Sequence, residues 1–167
     1  MDSNKAHYVV ATGILIKDGK YLIAKRSEKE KAFPGKWTVP GGKPEVTDYK
    51  DRPADTNAGQ WYNIGEDIVK REMKEEVDLS IQNIRYLASL VFIRPDGIPT
   101  LVLSYAGDYV DGEVTLCPDL TDYKWVTLEE KKSYDLIDGI WEEIEMLERS
   151  LKGKEIGIWQ KKQSKNI

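Results

Sequence analysis

The chain has 167 residues, 40% apolar and 32% charged, a composition that suits one globular domain with a core large enough to fold unaided. Its formal net charge of -4 argues against a nucleic-acid polymer as partner, because that binding draws on clustered Lys and Arg; a small phosphorylated ligand remains open, since bound cations screen charge locally. A lone Cys117 and a lone His7 exclude an internal disulfide and a Cys/His metal cluster, while a polar start and the absence of a membrane-length apolar run predict a soluble, cytoplasmic protein with no membrane partner.

In chain order, Tyr8 to Ile16 is β-branched and apolar, and Lys17-Asp18-Gly19-Lys20 turns it back into Tyr21 to Ala24, a β-hairpin. A polar loop through Pro34-Gly35 leads to a short strand at Trp37-Thr38-Val39, expected to stop at Pro40-Gly41-Gly42. From Lys43 to Tyr62 no period of 2 or 3.6 is sustained, which predicts a long loop, with Trp61 and Tyr62 packing part of it down. Ile64 to Val77 reads as a helix: Asn63 is the expected cap, Glu66 and Asp67 suit the positive end, and Val69, Met73 and Val77 recur every four residues.

Ser80 to Arg94 reads as a strand bent in its first half, turned by Pro95-Asp96-Gly97 into a second strand over 100–105. Cys117 is expected in a strand, half-buried or buried. A strand at Lys124-Trp125-Val126, a helical turn over 128–131 and an amphipathic helix over 138–151 complete the pattern. The basic tail 153–167 is low in apolar residues apart from Ile156, Ile158 and Trp159, and mobility is expected at its end.

The chemistry concentrates in Arg71-Glu72-Met73-Lys74-Glu75-Glu76, because i, i+3 and i+4 spacing puts Glu72, Glu75 and Glu76 on one helix face. Like charges so placed destabilise an isolated helix by roughly 0.2–0.5 kcal/mol per pair. Oxygen-seeking cations such as magnesium or manganese would turn that repulsion into binding energy. A solvated Glu/Lys-rich face is the plainer alternative.

These residues resemble the Nudix family, whose box runs Gly, five residues, Glu, seven residues, Arg-Glu, an apolar residue, any residue, Glu-Glu, any residue, Gly and an apolar residue. Arg71, Glu72, Met73, Glu75, Glu76 and Leu79 match its second half, Trp37 to Lys43 looks like its opening strand and Gly-Gly turn, and Lys25-Arg26 and Tyr123 to Glu130 resemble flanking family segments. Two departures stand out. About twice the permitted residues separate Gly42 from Arg71, implying an insertion near 46–60, and counting back from Arg71 puts Asn63 where the first box glutamate belongs, leaving Glu66, Glu45 or another loop acid to supply it. Asp78 replaces the last Gly, a position where Asp tolerates a left-handed backbone.

The resemblance implies an α/β/α sandwich around a mixed β-sheet, formed by a single domain. It implies Mg2+, with Mn2+ possible, held by Glu72, Glu75, Glu76 and the carbonyl of Gly41. Glu72, Glu75 and Arg71 are the catalytic candidates, with Arg71 holding a glutamate in place. The general base is Glu72 or a late-loop acid, Asp119, Asp122 or Glu113. Arg26, Phe33, Trp37, Gly42 and Trp61 are the substrate-binding candidates, the aromatics by stacking a base. The implied reaction is hydrolysis of a nucleoside triphosphate, oxidised or not, to the monophosphate and pyrophosphate. ADP-ribose or another nucleoside diphosphate derivative is the alternative substrate, and a non-catalytic nucleotide sensor the alternative role. Monomer and homodimer both remain open.

Overall fold

The computed structural model describes residues 5–160. Strand β1 (Tyr8–Lys17) lies inside the sheet because both of its faces are apolar, and the two faces serve different layers. Ala11 and Leu15 join one core cluster with Leu22 and Ala24 of β2 (Lys20–Arg26), whereas Ile14 joins the other with Tyr21 and Ile23. The hairpin between them turns through Asp18 and Gly19, at φ 50° and 73°, the doubly left-handed geometry of a two-residue turn.

Short strand β3 (Trp37–Thr38) pairs with β2, and β4 (Gly41–Gly42) with β1. The Pro40-Gly41-Gly42 stop therefore ends one pairing and begins another. Glycine permits it: a Cβ on Gly41 would lie 2.5 Å from the Ala11 carbonyl oxygen. Strands β5 (Ile81–Ile93), β6 (Pro99–Tyr109) and β7 (Leu120–Val126) complete the sheet. Its main order is β3-β2-β1-β6-β5, with β7 on β2; β1 and β6 are parallel and the other pairs antiparallel, so the sheet is mixed. The bend foreseen in β5 falls at Asn83, φ 51°, where the register shifts.

Helix α1 (Ile64–Val77) covers one face with Ile68, Val69, Met73 and Val77, and α2 (Ile140–Leu151) covers the other with Ile140, Trp141, Ile144 and Leu147. Burying each such side chain contributes about 1.5–3 kcal/mol. This is the expected α/β/α sandwich. Gly13 lets α1 approach β1, since a Cβ there would meet Val69 Cγ1 at 2.6 Å.

Local expectations need correction at four points. Asn63 is left-handed (φ 58°) and makes no side-chain cap; its carbonyl accepts from Asp67 N at 3.0 Å. Helix α2 begins two residues late because Gly139, at φ 98°, interrupts the backbone before it. Half-buried Cys117 sits in the loop before β7, not in a strand. β7 starts at Leu120, since pairing with β2 recruits the polar residues 121–124 that carry no strand pattern of their own. Asp78 adopts the left-handed turn foreseen for it, φ 56°.

The 43–62 segment holds only a 3-10 turn (Val46–Asp48). It is nevertheless tied down: Trp61 packs 5.2 Å from Tyr49 and donates to Arg52 O, and Arg52 pairs with Asp55 and Asp67. Of the tail, Ile156 packs against the α2-side core, and the expected mobile end falls outside the described residues. No described helix is long and apolar enough to cross a membrane.

Candidate active site

Burial of Val69, Met73 and Val77 fixes the roll of α1 and turns Glu72 and Glu76 toward β4. Glu76 Oε2 accepts the Gly41 amide at 2.9 Å. Burial pushes its carboxyl up to about 7; the Gly41 bond and Arg26 oppose the rise, and Glu72 and Asp119 add to it. Glu72 lies over Gly42, where a Cβ would fall 1.8 Å from its Oε1. Burial raises Glu72 as well, against the pull of Arg71 and with the added repulsion of Glu75 and Glu45.

Glu75 is different: its side chain is 58% exposed and its Oε2 accepts from Arg71 Nη1 at 2.9 Å. Among the described residues no three His, Cys, Asp or Glu side chains gather closely enough to hold a metal ion. Of the three carboxylates expected on one face, Glu72 and Glu76 form the buried pair, while exposed Glu75 shares Arg71 Nη1 with Glu72. The pair still suits a hard divalent cation: two partly desolvated carboxylates repel each other, and an oxygen-seeking ion would relieve that repulsion.

Arg71 is the organiser. Its Nε donates to Asp48 Oδ1 at 2.6 Å, its Nη1 to Glu72 at 2.8 Å and to Glu75, and its Nη2 to the Lys43 carbonyl at 2.8 Å. Counting back from Arg71 passes over Asp48, because the segment between them is longer than the box allows. Counted forward from Gly42, five residues intervene and the sixth is Asp48. Asp48 thus stands at the first box acid's spacing from Gly42 and contacts the box Arg. Glu45 lies close enough to repel Glu72, whereas Glu66 faces Tyr105.

A cavity of about 610 Å³ opens beside this cluster, lined in part by Gly41, Gly42, Glu76, Arg26, Phe33 and Arg94. Val10, Val102, Leu90 and Phe92 supply its apolar wall, and Phe33 packs 5.6 Å from Phe92 at one side. Neither tryptophan lines it. Trp37 stacks edge-on against Tyr134 at 5.0 Å and packs on the α2-side core, and Trp61 packs on Tyr49 within the 43–62 loop. Arg26 has partners already, donating to Ala32 O at 2.9 Å and pairing with Glu30. Of the late acids, Asp119 lies near Glu76; Asp122 pairs with Lys124, and Glu113 lines a separate hollow with Lys17 and Trp125.

A family model described as NUDIX domain matches residues 7–148. A nucleoside triphosphatase, NudI, from Klebsiella pneumoniae is 25% identical over 141 residues, covering 78% of this chain and 89% of its own. An NAD-capped RNA hydrolase, NudC, from Pseudomonas putida is 33% identical over 64 residues, 38% of this chain, and the chain spans only 22% of that relative. Among solved structures, a MutT protein from Methanosarcina mazei superposes with a TM-score of 0.65 at 22% identity, covering 89% of this chain and 97% of its own. The NUDIX domain of Shewanella oneidensis NrtR, crystallised with ADP ribose, gives 0.63 at 19% identity, covering 89% of each chain. At these identities the structures establish the fold. With the family model spanning most of the chain, the protein belongs to the NUDIX family, whose hydrolases act on nucleoside diphosphate-linked compounds.

Proposed function

We propose that this protein is a metal-dependent pyrophosphohydrolase that cleaves a nucleoside triphosphate to the monophosphate and pyrophosphate. The observation that carries the reading is the Glu72–Glu76 pair beside Gly41 and Gly42, at the edge of a cavity large enough for a nucleoside. The likeness to a nucleoside triphosphatase along most of both chains supports the substrate class.

Water attacks a phosphorus atom, one P–O anhydride bond breaks, and the leaving phosphate oxygen departs with the bonding electrons. Magnesium or manganese bound there supplies neutralisation of the phosphate charge and acidification of a water. Glu72 and Glu76 would hold it, with Glu75 and the Gly41 carbonyl beside them. Arg71, fixed by Asp48, keeps Glu72 in position by a charge-assisted hydrogen bond. Asp119, the late acid nearest Glu76, accepts the proton of the attacking water, with Glu72 the other candidate. Arg26 and Arg94 on the cavity lining meet phosphate or ribose oxygens, and Phe33 stacks the base. The segment after Asp48 is an insertion in a single domain.

Pyrophosphate and phosphate release from a panel of nucleoside triphosphates, oxidised nucleotides and ADP-ribose, each with magnesium or manganese, tests the reading. Pyrophosphate release from triphosphates supports it; cleavage of ADP-ribose alone moves the assignment to nucleoside diphosphate derivatives.

A further inference from the structure

The α2-facing side of the sheet carries its apolar core as far as Ile14 and Ala106 and then changes character. Beyond them Thr12, Ser104, Val102 and Thr100 floor the cavity, and Glu143 of α2 lines it as well. Glu143 is 3% exposed, and the nearby Ser104 hydroxyl is the one group that favours its charged form; no ion pair with Lys or Arg joins it among the described residues. Its charged neighbour, Glu142, is a like charge. Thr12 Oγ1 approaches Ser104 Oγ at 3.3 Å, and Thr100, on the other side of Val102 and 2% exposed, has a hydroxyl with no partner. A buried carboxyl with spare acceptor capacity is costly unless donors arrive from elsewhere.

The site lies at a useful distance from the carboxylate pair. Gly41, Thr12 and Ser104 are consecutive partners across β4, β1 and β6, and the Gly41 amide binds Glu76. Two strand spacings amount to about 10 Å. A ribose and its phosphate can bridge that span.

We propose that Glu143 is a specificity-determining residue that accepts hydrogen bonds from N–H donors on the substrate's base, and that guanine, with two adjacent N–H donors on one edge, fits it best. A carboxylate takes two parallel N–H bonds at once, whereas adenine and cytosine offer one donor beside an acceptor and uracil one donor between two acceptors. Burial holds the Glu143 carboxyl up at about 7, so incoming N–H donors shift it to its ionised form. The inference rests on the pyrophosphohydrolase reading for its substrate class but is tested without turnover.

The test is calorimetric binding, with magnesium, of two triphosphates made uncleavable by imido bridges, one carrying guanine and one an unsubstituted purine, to wild type and Glu143→Gln. The wild type should prefer guanine by about 10–100-fold, the worth of one bidentate contact. In Glu143→Gln the preference should shrink to within about threefold, with Tm undiminished. Equal binding of both nucleotides by the wild type, a preference that survives in the variant, or no nucleotide binding at all overturns the proposal. Turnover by the wild type separates the two failures: metal-dependent cleavage without base preference refutes only the role of Glu143, and absence of cleavage refutes the pyrophosphohydrolase reading.

Discussion

The Arg71 guanidinium lies 2.6 Å from Asp48, whose side chain is only 3% exposed, so the acid after the Gly-Gly turn and the arginine of α1 form one unit across the intervening loop. Burial pushes the Asp48 carboxyl up, but the Arg71 hydrogen bond, the Glu45 amide and the Arg71 charge together outweigh it and hold the group below its ordinary value. Asp48→Asn should lower kcat by about 10–100-fold and weaken magnesium binding by a similar factor, as loss of a group supporting a metal ligand does, with little change in KM. Asp48→Glu, the residue of the family box, should keep most activity. Steady-state kinetics and magnesium titration check both.

Gly42→Ala should be inactive yet folded. Its Cβ would fall 1.8 Å from Glu72 Oε1, the end of a flexible side chain, so the carboxylate swings away while the sheet stays. Magnesium affinity should fall at least about tenfold with Tm shifted by only a few degrees. Collapse of the fold instead would mean that β4 has no room even for a methyl group.

Phe33 and Trp37 should separate cleanly. Phe33→Ala removes a cavity aromatic and should raise KM by about 5–150-fold, the worth of lost base stacking, leaving Tm nearly unchanged. Trp37→Ala, in the α2-side core, should cost about 2–4 kcal/mol of stability without a selective effect on KM. Denaturant melts beside steady-state kinetics decide it.

The metal-free protein should be more stable at pH 5 than at pH 8. Glu143 is raised from 4.5 to about 7 by burial, with Glu142 adding to the rise and Ser104 opposing it. Its folded form holds the proton more tightly than the unfolded chain. That stabilisation is complete below about 4.5 and is lost as pH climbs through 7, on the order of 3 kcal/mol for the whole shift. Glu143→Gln should flatten this part of the pH–Tm curve, and an unchanged slope would assign the dependence to other groups.

The elements were legible in the sequence because their signals are local, whereas their layering followed from the family resemblance. The four-residue recurrence of Val69, Met73 and Val77 gives α1 its bounds, and the β-branched run of β1 marks a strand buried on both faces. Position in space was less so. Trp37 and Trp61 are stacking candidates by their place beside the box in sequence; in space Trp37 packs on the α2-side core, and Trp61 packs the 43–62 loop down, as the sequence also suggests. Asp48 is hidden by the long stretch between it and Arg71, which spoils backward counting, and Glu143 by an apolar helix face on which a lone glutamate carries no periodic signal. Glu75 lay on the expected face, but helix geometry cannot foresee that it stays exposed and shares the Arg71 guanidinium with Glu72.

Pyrophosphate release from guanosine triphosphate by wild type and Glu76→Gln, with and without magnesium, tests the central claim most directly. Turnover should require the metal and fall at least about 100-fold in Glu76→Gln, with the variant folded. Turnover that persists without metal, or that survives the substitution, would contradict the placement of chemistry at the Glu72–Glu76 pair.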